Sequence, residues 1–273
     1  MYITFIRHFI RRIRENRIFD VSAQLGYYFL MAMFPLLLFI LSVISFLPIS
    51  SNDVLRFISP YVPPGTLNII TFNINTIIDV QRFDTLSFSS IATVWLSLLG
   101  TFAIIRAINH AYRLSYPPLY KMFIIGFGLM MSILLAIIIS LLLPIYGRPF
   151  GSFLFSLIGW DAFFMYIWEW VRWGVSFIVI GLVLLYIYLT VPNRIISPKE
   201  AFPGAVFALI SWQAGSLGFF FYVENNDYSV IYGSLGNIIV LMIWFYISGF
   251  SILAGGELNA MIAEKRKNRW RTK

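Results

Sequence analysis

Six long apolar stretches, separated by short polar segments whose basic residues cluster on alternate sides, constrain this chain more than anything else in it. A helix needs about 20 mostly apolar residues to cross the hydrocarbon core of a bilayer. Spans of that kind run from Leu25 to Leu47, Ser89 to Tyr112, Lys121 to Tyr146, Trp173 to Val191, Phe202 to Tyr222 and Leu235 to Leu258. Only 12% of the 273 residues are charged and 59% are hydrophobic, with a mean hydropathy of +0.81. A soluble domain carries about 25% charge, and no water-soluble core hides this much apolar surface. The sequence therefore predicts an all-α integral membrane protein, a six-transmembrane-helix bundle with amphipathic interfacial helices. Its parts are a cytoplasmic amphipathic helix over 1–20, a single transmembrane domain over 21–262 with an outer helical loop at 48–88, and a basic cytoplasmic tail at 263–273.

Orientation follows because short loops rich in Lys and Arg stay cytoplasmic. Arg7, Arg11, Arg12, Arg14 and Arg17 precede the first span, Arg113 and Lys121 separate the second and third, and Arg194 and Lys199 separate the fourth and fifth. Lys265, Arg266, Lys267, Arg269, Arg271 and Lys273 follow the sixth. The opposite segments hold acids as well: Asp53, Asp79 and Asp84, then Asp161 and Glu169, then Glu224 and Asp227. Both termini are thus expected in the cytoplasm, and an odd number of spans would break the alternation.

The net charge of +8 is mostly this topology. The basic tail has only Trp270 for stacking and no RNA-binding module, so nucleic acid is not an expected partner. Without cysteine, disulfides, thiolate catalysis and Cys-based metal sites are excluded. The first span is longer than a signal-peptide core of 7 to 15 residues and no small-residue cleavage site follows it, which predicts an uncleaved anchor.

Between the spans, several segments have character of their own. Ile3, Ile6, Phe9, Ile10 and Ile13 recur at helical spacing, with Arg7, Arg11, Arg14 and Arg17 on the other side. That pattern predicts a helix lying on an anionic leaflet. In the first outer loop, Leu67, Ile70, Ile74, Ile77 and Ile78 share a helical face, predicting a lid on the membrane surface or one wall of a cavity. The second outer segment, 147–172, is aromatic yet charged; Trp160, Trp168, Trp170 and Trp173 suit a bilayer interface. Gly147 and Gly151 have the spacing of a helix-packing seam, but Arg148 and Pro149 between them argue for a turn. Inverted repeats of a transporter are not evident.

Catalytic parts are scarce. His8 and His110 lie in separate segments, no metal-ligand, nucleophile-elbow, phosphate-loop or dinucleotide motif occurs, and the acids Glu15, Asp20, Glu200, Glu257 and Glu264 are scattered. No catalytic residue, metal or cofactor is expected, and a ribonuclease is disfavoured. Polar groups at membrane depth are costly and so become the default candidates for function. For substrate binding or gating these are Arg106, Asn109, Gln213, Asn237, Glu257, Asn259 and Gln24. Arg106 and Asn109 share a helical face, and Glu257 and Asn259 are expected to end the sixth helix at a similar depth. An Arg106–Glu257 pair would then form an inner gate or helix clamp, the bland alternative being an arginine that snorkels to the interface. Pro35 should kink the first span. Gly233 and Gly236 open the sixth beside Asn237, where free amides could receive an anionic headgroup or, more simply, where helices pack closely.

Several of these residues form ordered motifs: Ala23-Gln24-Leu25-Gly26-Tyr27-Tyr28-Phe29-Leu30 followed by Phe34-Pro35-Leu36-Leu37, Arg106 to Tyr112, Val191-Pro192-Asn193-Arg194, Pro203-Gly204-Ala205, Tyr232 to Gly236, and Gly255-Gly256-Glu257-Leu258-Asn259-Ala260. Together, in this order over about residues 15 to 262, they resemble the bacterial YihY/BrkB membrane-protein family. Gly256 stands where the family has Ala. The resemblance implies a six-helix inner-membrane protein. Some relatives have borne a ribonuclease label, and others are linked with virulence or with movement of lipids and lipid-linked precursors.

The leading expectation is a transporter or flippase-like protein for lipids or lipid-linked amphiphiles, its partners being membrane lipids and an amphiphilic substrate. The rivals are a non-catalytic envelope scaffold whose buried polar groups simply bond helix to helix, and an exporter of a small soluble solute. An intramembrane hydrolase comes last.

Overall fold

A computed structural model describes residues 2–45, 83–157, 159–224 and 235–271. Among these are seven helices: α1 (Tyr2–Glu15), α2 (Ile18–Ser45), α3 (Phe83–Ala111), α4 (Leu119–Ser156), α5 (Asp161–Thr190), α6 (Pro198–Glu224) and α7 (Leu235–Arg271). Six are long and apolar enough to cross a membrane, over Ile18–Phe39, Ser87–Ala111, Leu119–Ser140, Trp170–Thr190, Pro198–Glu224 and Ile238–Lys265. The hydropathy reading of six membrane helices holds. The expected outer helix at 67–82 lies outside the described residues, as does Gly233.

The chain divides into two compact units, residues 1–27 with 100–273, and residues 28–99. The smaller unit holds most of α2, which continues as helix through Pro35, and the first half of α3. A proline inside a helix leaves the carbonyl four residues earlier without its amide donor, here that of Met31. The remainder of the fold concerns the larger unit.

There, α6 and α7 are joined along a seam of small and hydroxyl residues. Gly204, Ala208, Ser211 and Gly215 recur along one face of α6, and Ser248, Ser251, Gly255 and Asn259 along one face of α7. A Cβ on Gly204 would come within 2.3 Å of the Gly255 carbonyl oxygen, and one on Gly255 within 2.6 Å of the Gly204 carbonyl. The two backbones therefore touch, which only glycine permits. Lipid provides no hydrophobic drive for helix association, so close backbone approach and interhelical hydrogen bonds take its place. Trp212 Nε1 donates to Ser248 Oγ (3.0 Å) and Trp244 Nε1 to Ser216 Oγ (3.3 Å) across the same seam. The start of α2 joins α7 in the same manner, with Gly26 against the Tyr246 backbone and Gly249 against Leu25.

Two helices run on beyond the expected ends. α7 continues to Arg271, so residues 263–271 are helical and Glu257 lies well inside the helix. α4 runs unbroken through Gly147, Arg148, Pro149 and Gly151 to Ser156, where a turn was expected. The reason is tertiary. A Cβ on Gly147 would meet the Trp168 ring at 2.5 Å and one on Gly151 the Phe164 ring at 2.0 Å. The glycine pair is thus the seam of an α4–α5 hairpin, and aromatic packing outweighs the turn propensity of Gly and Pro.

Candidate functional site

α1 and the turn after it carry a contact stripe at i, i+4, i+7 and i+11: Phe5, Phe9, Arg12 and, just past the helix end, Asn16. Lys265 Nζ lies 5.4 Å from the Phe5 ring centroid, and Phe9 meets Phe207 of α6 edge to face at 5.5 Å. Arg7, Arg11 and Arg14 stay exposed on other faces, beside the exposed Ile6 and Ile10. Arg12 alone among these arginines is buried, at 4% exposure.

Each nitrogen of the Arg12 guanidinium has a partner. Nε donates to Glu257 Oε1, Nη1 to Glu264 Oε2, and Nη2 to the Ala111 carbonyl at 2.7 Å. Asn16 Nδ2 donates to the second Glu257 oxygen at 2.9 Å, and Arg113 reaches Glu264 at 3.2 Å from the surface. Burial pulls the arginine's pKa down, but the two carboxylates more than offset it and leave the group above its ordinary value. Its charge, and any stability that depends on it, is therefore constant across the neutral pH range.

The Ala111 carbonyl is free to accept because α3 ends there. Arg113 adopts a left-handed conformation (φ 55°), its amide donating to the His110 carbonyl and the Leu114 amide to that of Asn109, each at 2.9 Å. This is a Schellman ending on a residue other than glycine, and the Arg12 guanidinium caps the last carbonyl. Arg17, also left-handed (φ 52°), turns the chain from α1 into α2.

Two fully buried asparagines complete the node. Asn109 donates to the Ile105 (2.8 Å) and Val191 (3.0 Å) carbonyls and accepts from the Asn193 amide (2.7 Å), fastening the end of α3 to the end of α5. Lys121 of α4 joins them through Asn193 Oδ1 at 2.9 Å. Asn259 accepts from the Gly204 amide (2.7 Å) and donates to the Ala201 carbonyl (2.8 Å), clipping α7 to the first turns of α6. Tyr188, buried between them, donates to the Ile252 carbonyl at 2.6 Å. Arg194 binds Glu200 and stands 5.0 Å from the Tyr112 ring centroid. These neighbouring groups of polar contacts together hold one end of α1, α3, α4, α5 and α6 to each other and to the interior of α7.

The expected Arg106–Glu257 pair does not form. Glu257 is 0% exposed and saturated by Arg12 and Asn16, whereas Arg106 is exposed, about 60° around α3 from buried Asn109 and about 100° from buried Ile105. Arg106 and Asn109, three positions apart, share a face by spacing alone, but the exposed stripe runs Arg106, His110 and, past the helix end, Arg113. Beside it lies a cleft of about 330 Å³ bordered by Arg12, Glu15, Asn16, His110, Arg113 and Tyr116. Gln24 is exposed, Gln213 half-buried and Gly236 buried, while only the backbone of Asn237 is described, in the first turn of α7. The hydrogen bonds of Asn109, Glu257 and Asn259 do not include Gln213. Among the described residues no three His, Cys, Asp or Glu side chains cluster to hold a metal ion. Arg12 and Asn16 are the residues that sequence reasoning missed; their stripe with Phe5 and Phe9 was the available signal.

Comparison with known proteins agrees with this framework of membrane helices. The family profile described as Virulence factor BrkB matches residues 9–273. YfkH of Bacillus subtilis (strain 168), named as ribonuclease-like, is 37% identical over 270 residues, covering 97% of each chain. The UPF0761 membrane protein XAC0937 of Xanthomonas axonopodis pv. citri (strain 306) is 27% identical over 97% of this chain, which spans 62% of that relative's length. XCV0968 of Xanthomonas euvesicatoria pv. vesicatoria (strain 85-10) matches to the same extent. No solved structure matches. With its profile covering nearly all of the sequence, the chain belongs to the BrkB family of membrane proteins.

Proposed function

We propose that this chain is a membrane transporter or flippase-like protein that handles lipids or lipid-linked amphiphiles with an anionic headgroup, without enzymatic chemistry, in a bacterial cytoplasmic membrane with both termini in the cytosol. The observation that carries the reading is the exposed cationic face of α3. Arg106 lies five residues inside a membrane-spanning helix, where a charge is costly unless it reaches headgroups or a polar path. His110 and Arg113 continue that face to the helix end and border the cleft. A headgroup phosphate moving along it would meet Arg106, then His110, then Arg113. Asn109, Glu257 and Asn259 take the role of fixed frame, because their polar atoms already have partners in the protein.

Reconstitution in vesicles containing fluorescent phosphatidylglycerol tests this. Wild type should accelerate leaflet exchange over protein-free vesicles, and Arg106→Ala should lower the rate per folded protein at least several-fold. Equal rates in all three preparations would remove the proposal.

A second reading, a non-catalytic envelope scaffold, is favoured by the saturation of the buried network. In that case, substitutions at Asn109 and Glu257 reduce the yield of folded protein, and Arg106→Ala has no effect on any lipid movement.

A further inference from the structure

The end of the bundle remote from the polar network carries an element that neither spanning nor headgroup transfer requires. About 20 residues cross the hydrocarbon core, yet α4 is 38 residues long (Leu119–Ser156) and α5 30 (Asp161–Thr190). At about 1.5 Å per residue, the C-terminal extension of α4 overreaches the core by about 27 Å. Pro144 and Pro149 lie in this extension, and prolines are the commonest cause of a helix bend.

The hairpin has two unlike sides. Its seam is Gly147 and Gly151 against Trp168 and Phe164, with Phe155 stacked on Phe164 at 4.9 Å. Counting about 100° per residue from the seam, Phe150, Phe153, Leu154 and Leu157 fall on one flank of α4, and Arg148, Ser152 and Ser156 on the other. Around α5, Phe163 and Trp170 fall on one flank, Tyr166 at the back opposite the seam, and Arg172 on the other flank, with Met165 the apolar exception there. Because the helices are antiparallel, the two apolar flanks face the same way. That shared side is open: Phe150 is 64% exposed, Phe153 60%, Phe163 52% and Trp170 80%.

We propose that this hairpin is a membrane-interface paddle, its aromatic side seated among the headgroups and upper acyl chains of the leaflet remote from α1, and its polar side toward water. Lipid is the occupant that fits. The paddle is the direct continuation of two bilayer-spanning helices, so its apolar side begins at the bilayer surface. Phe, Trp and Leu on one side opposite Arg and Ser is the composition of an interfacial amphipathic element. An open apolar side of this extent calls for an occupant in any case. The proposal is independent of lipid transfer and stands if leaflet exchange is not observed.

The chain lacks cysteine, so single-cysteine spin labelling tests this in the full protein. Phe153→Cys and Phe163→Cys probe the aromatic side and Ser152→Cys and Ser156→Cys the polar side, in vesicles of phosphatidylethanolamine and phosphatidylglycerol. Labels at 153 and 163 should collide several-fold more with dissolved oxygen than with an aqueous nickel chelate, and labels at 152 and 156 the reverse. Phe150→Cys and Trp170→Cys replace either aromatic-side variant that fails to elute as the folded protein. Equal access of the chelate to both sides would overturn the proposal, because the hairpin would then stand in water. Protection of 153 and 163 from both reagents would also overturn it, because protein and not lipid would cover that side.

Discussion

The two ends of this molecule's larger unit solve opposite problems. At the α1 end, polar groups are buried and bonded to one another: Arg12 to Glu257 and Glu264, Asn109 to Val191 and Asn193, Asn259 to Ala201 and Gly204. At the hairpin end, large aromatic side chains are exposed over a spare glycine seam. The contrast teaches where specificity comes from when lipid surrounds the chain. Apolar contact cannot distinguish a neighbouring helix from an acyl chain, whereas a buried carboxylate or asparagine with one set of partners can. The polar end fixes which helices meet, and the aromatic end is left for the bilayer.

The comparison breaks most easily at the buried charges. Glu257→Leu takes from the buried Arg12 guanidinium its fully buried carboxylate, leaving Glu264 and the Ala111 carbonyl, and losing one member of a buried pair costs about 3–5 kcal/mol. Thermal unfolding in detergent should show this as the largest single loss, accompanied by poor yield. Next comes Gly204→Ala, whose methyl would press on the Gly255 carbonyl and cost about 1–3 kcal/mol as overpacking. Gly218→Ala, on the same helix with nothing within 4 Å of the new Cβ, should be neutral or stabilising by up to about 1 kcal/mol. Asn109→Ala removes three hydrogen bonds and leaves the Asn193 amide without its acceptor, a loss of about 1–3 kcal/mol. At the other end, Phe153→Ser should shift detergent stability by no more than about 0.5 kcal/mol while weakening the hairpin's protection from water-soluble reagents in vesicles. The smallest effect is expected for Arg113→Gly. Relief of the left-handed strain, of order 1 kcal/mol, offsets the loss of an exposed pair worth about 0–1 kcal/mol.

Membrane helices were legible because hydropathy over about 20 residues is a one-dimensional signal. Helix ends were less so. Residues 264–271 are nearly all polar or basic, so hydropathy reads a tail where α7 in fact continues. Gly147-Arg148-Pro149 reads as a turn until the rings of Trp168 and Phe164 are laid against it. At the node, sequence reasoning named Asn109, Glu257 and Asn259 as candidates for substrate binding or gating, and the structure buries all three; it paired Glu257 with Arg106, where the structure has Arg12. The positive-inside signal grouped Arg12 with Arg7, Arg11 and Arg14, because counting charges ignores the side of a helix on which each one falls. Phase decides: Arg12 lies in line with Phe5, Phe9 and Asn16, whereas Arg106, about 60° around α3 from Asn109, falls just outside the buried face.

The central claim is that Glu257 is matched to Arg12 and that Arg106 stands apart from the frame. A double-mutant cycle on Arg12→Met and Glu257→Leu, with Arg106→Met and Glu257→Leu as the control cycle, measures it by unfolding free energy in detergent. The account predicts that the Arg12 cycle restores at least about 1.5 kcal/mol of the summed single losses, within the range of coupled neighbours, and that the Arg106 cycle is additive. Coupling in the Arg106 cycle with none in the Arg12 cycle would contradict it.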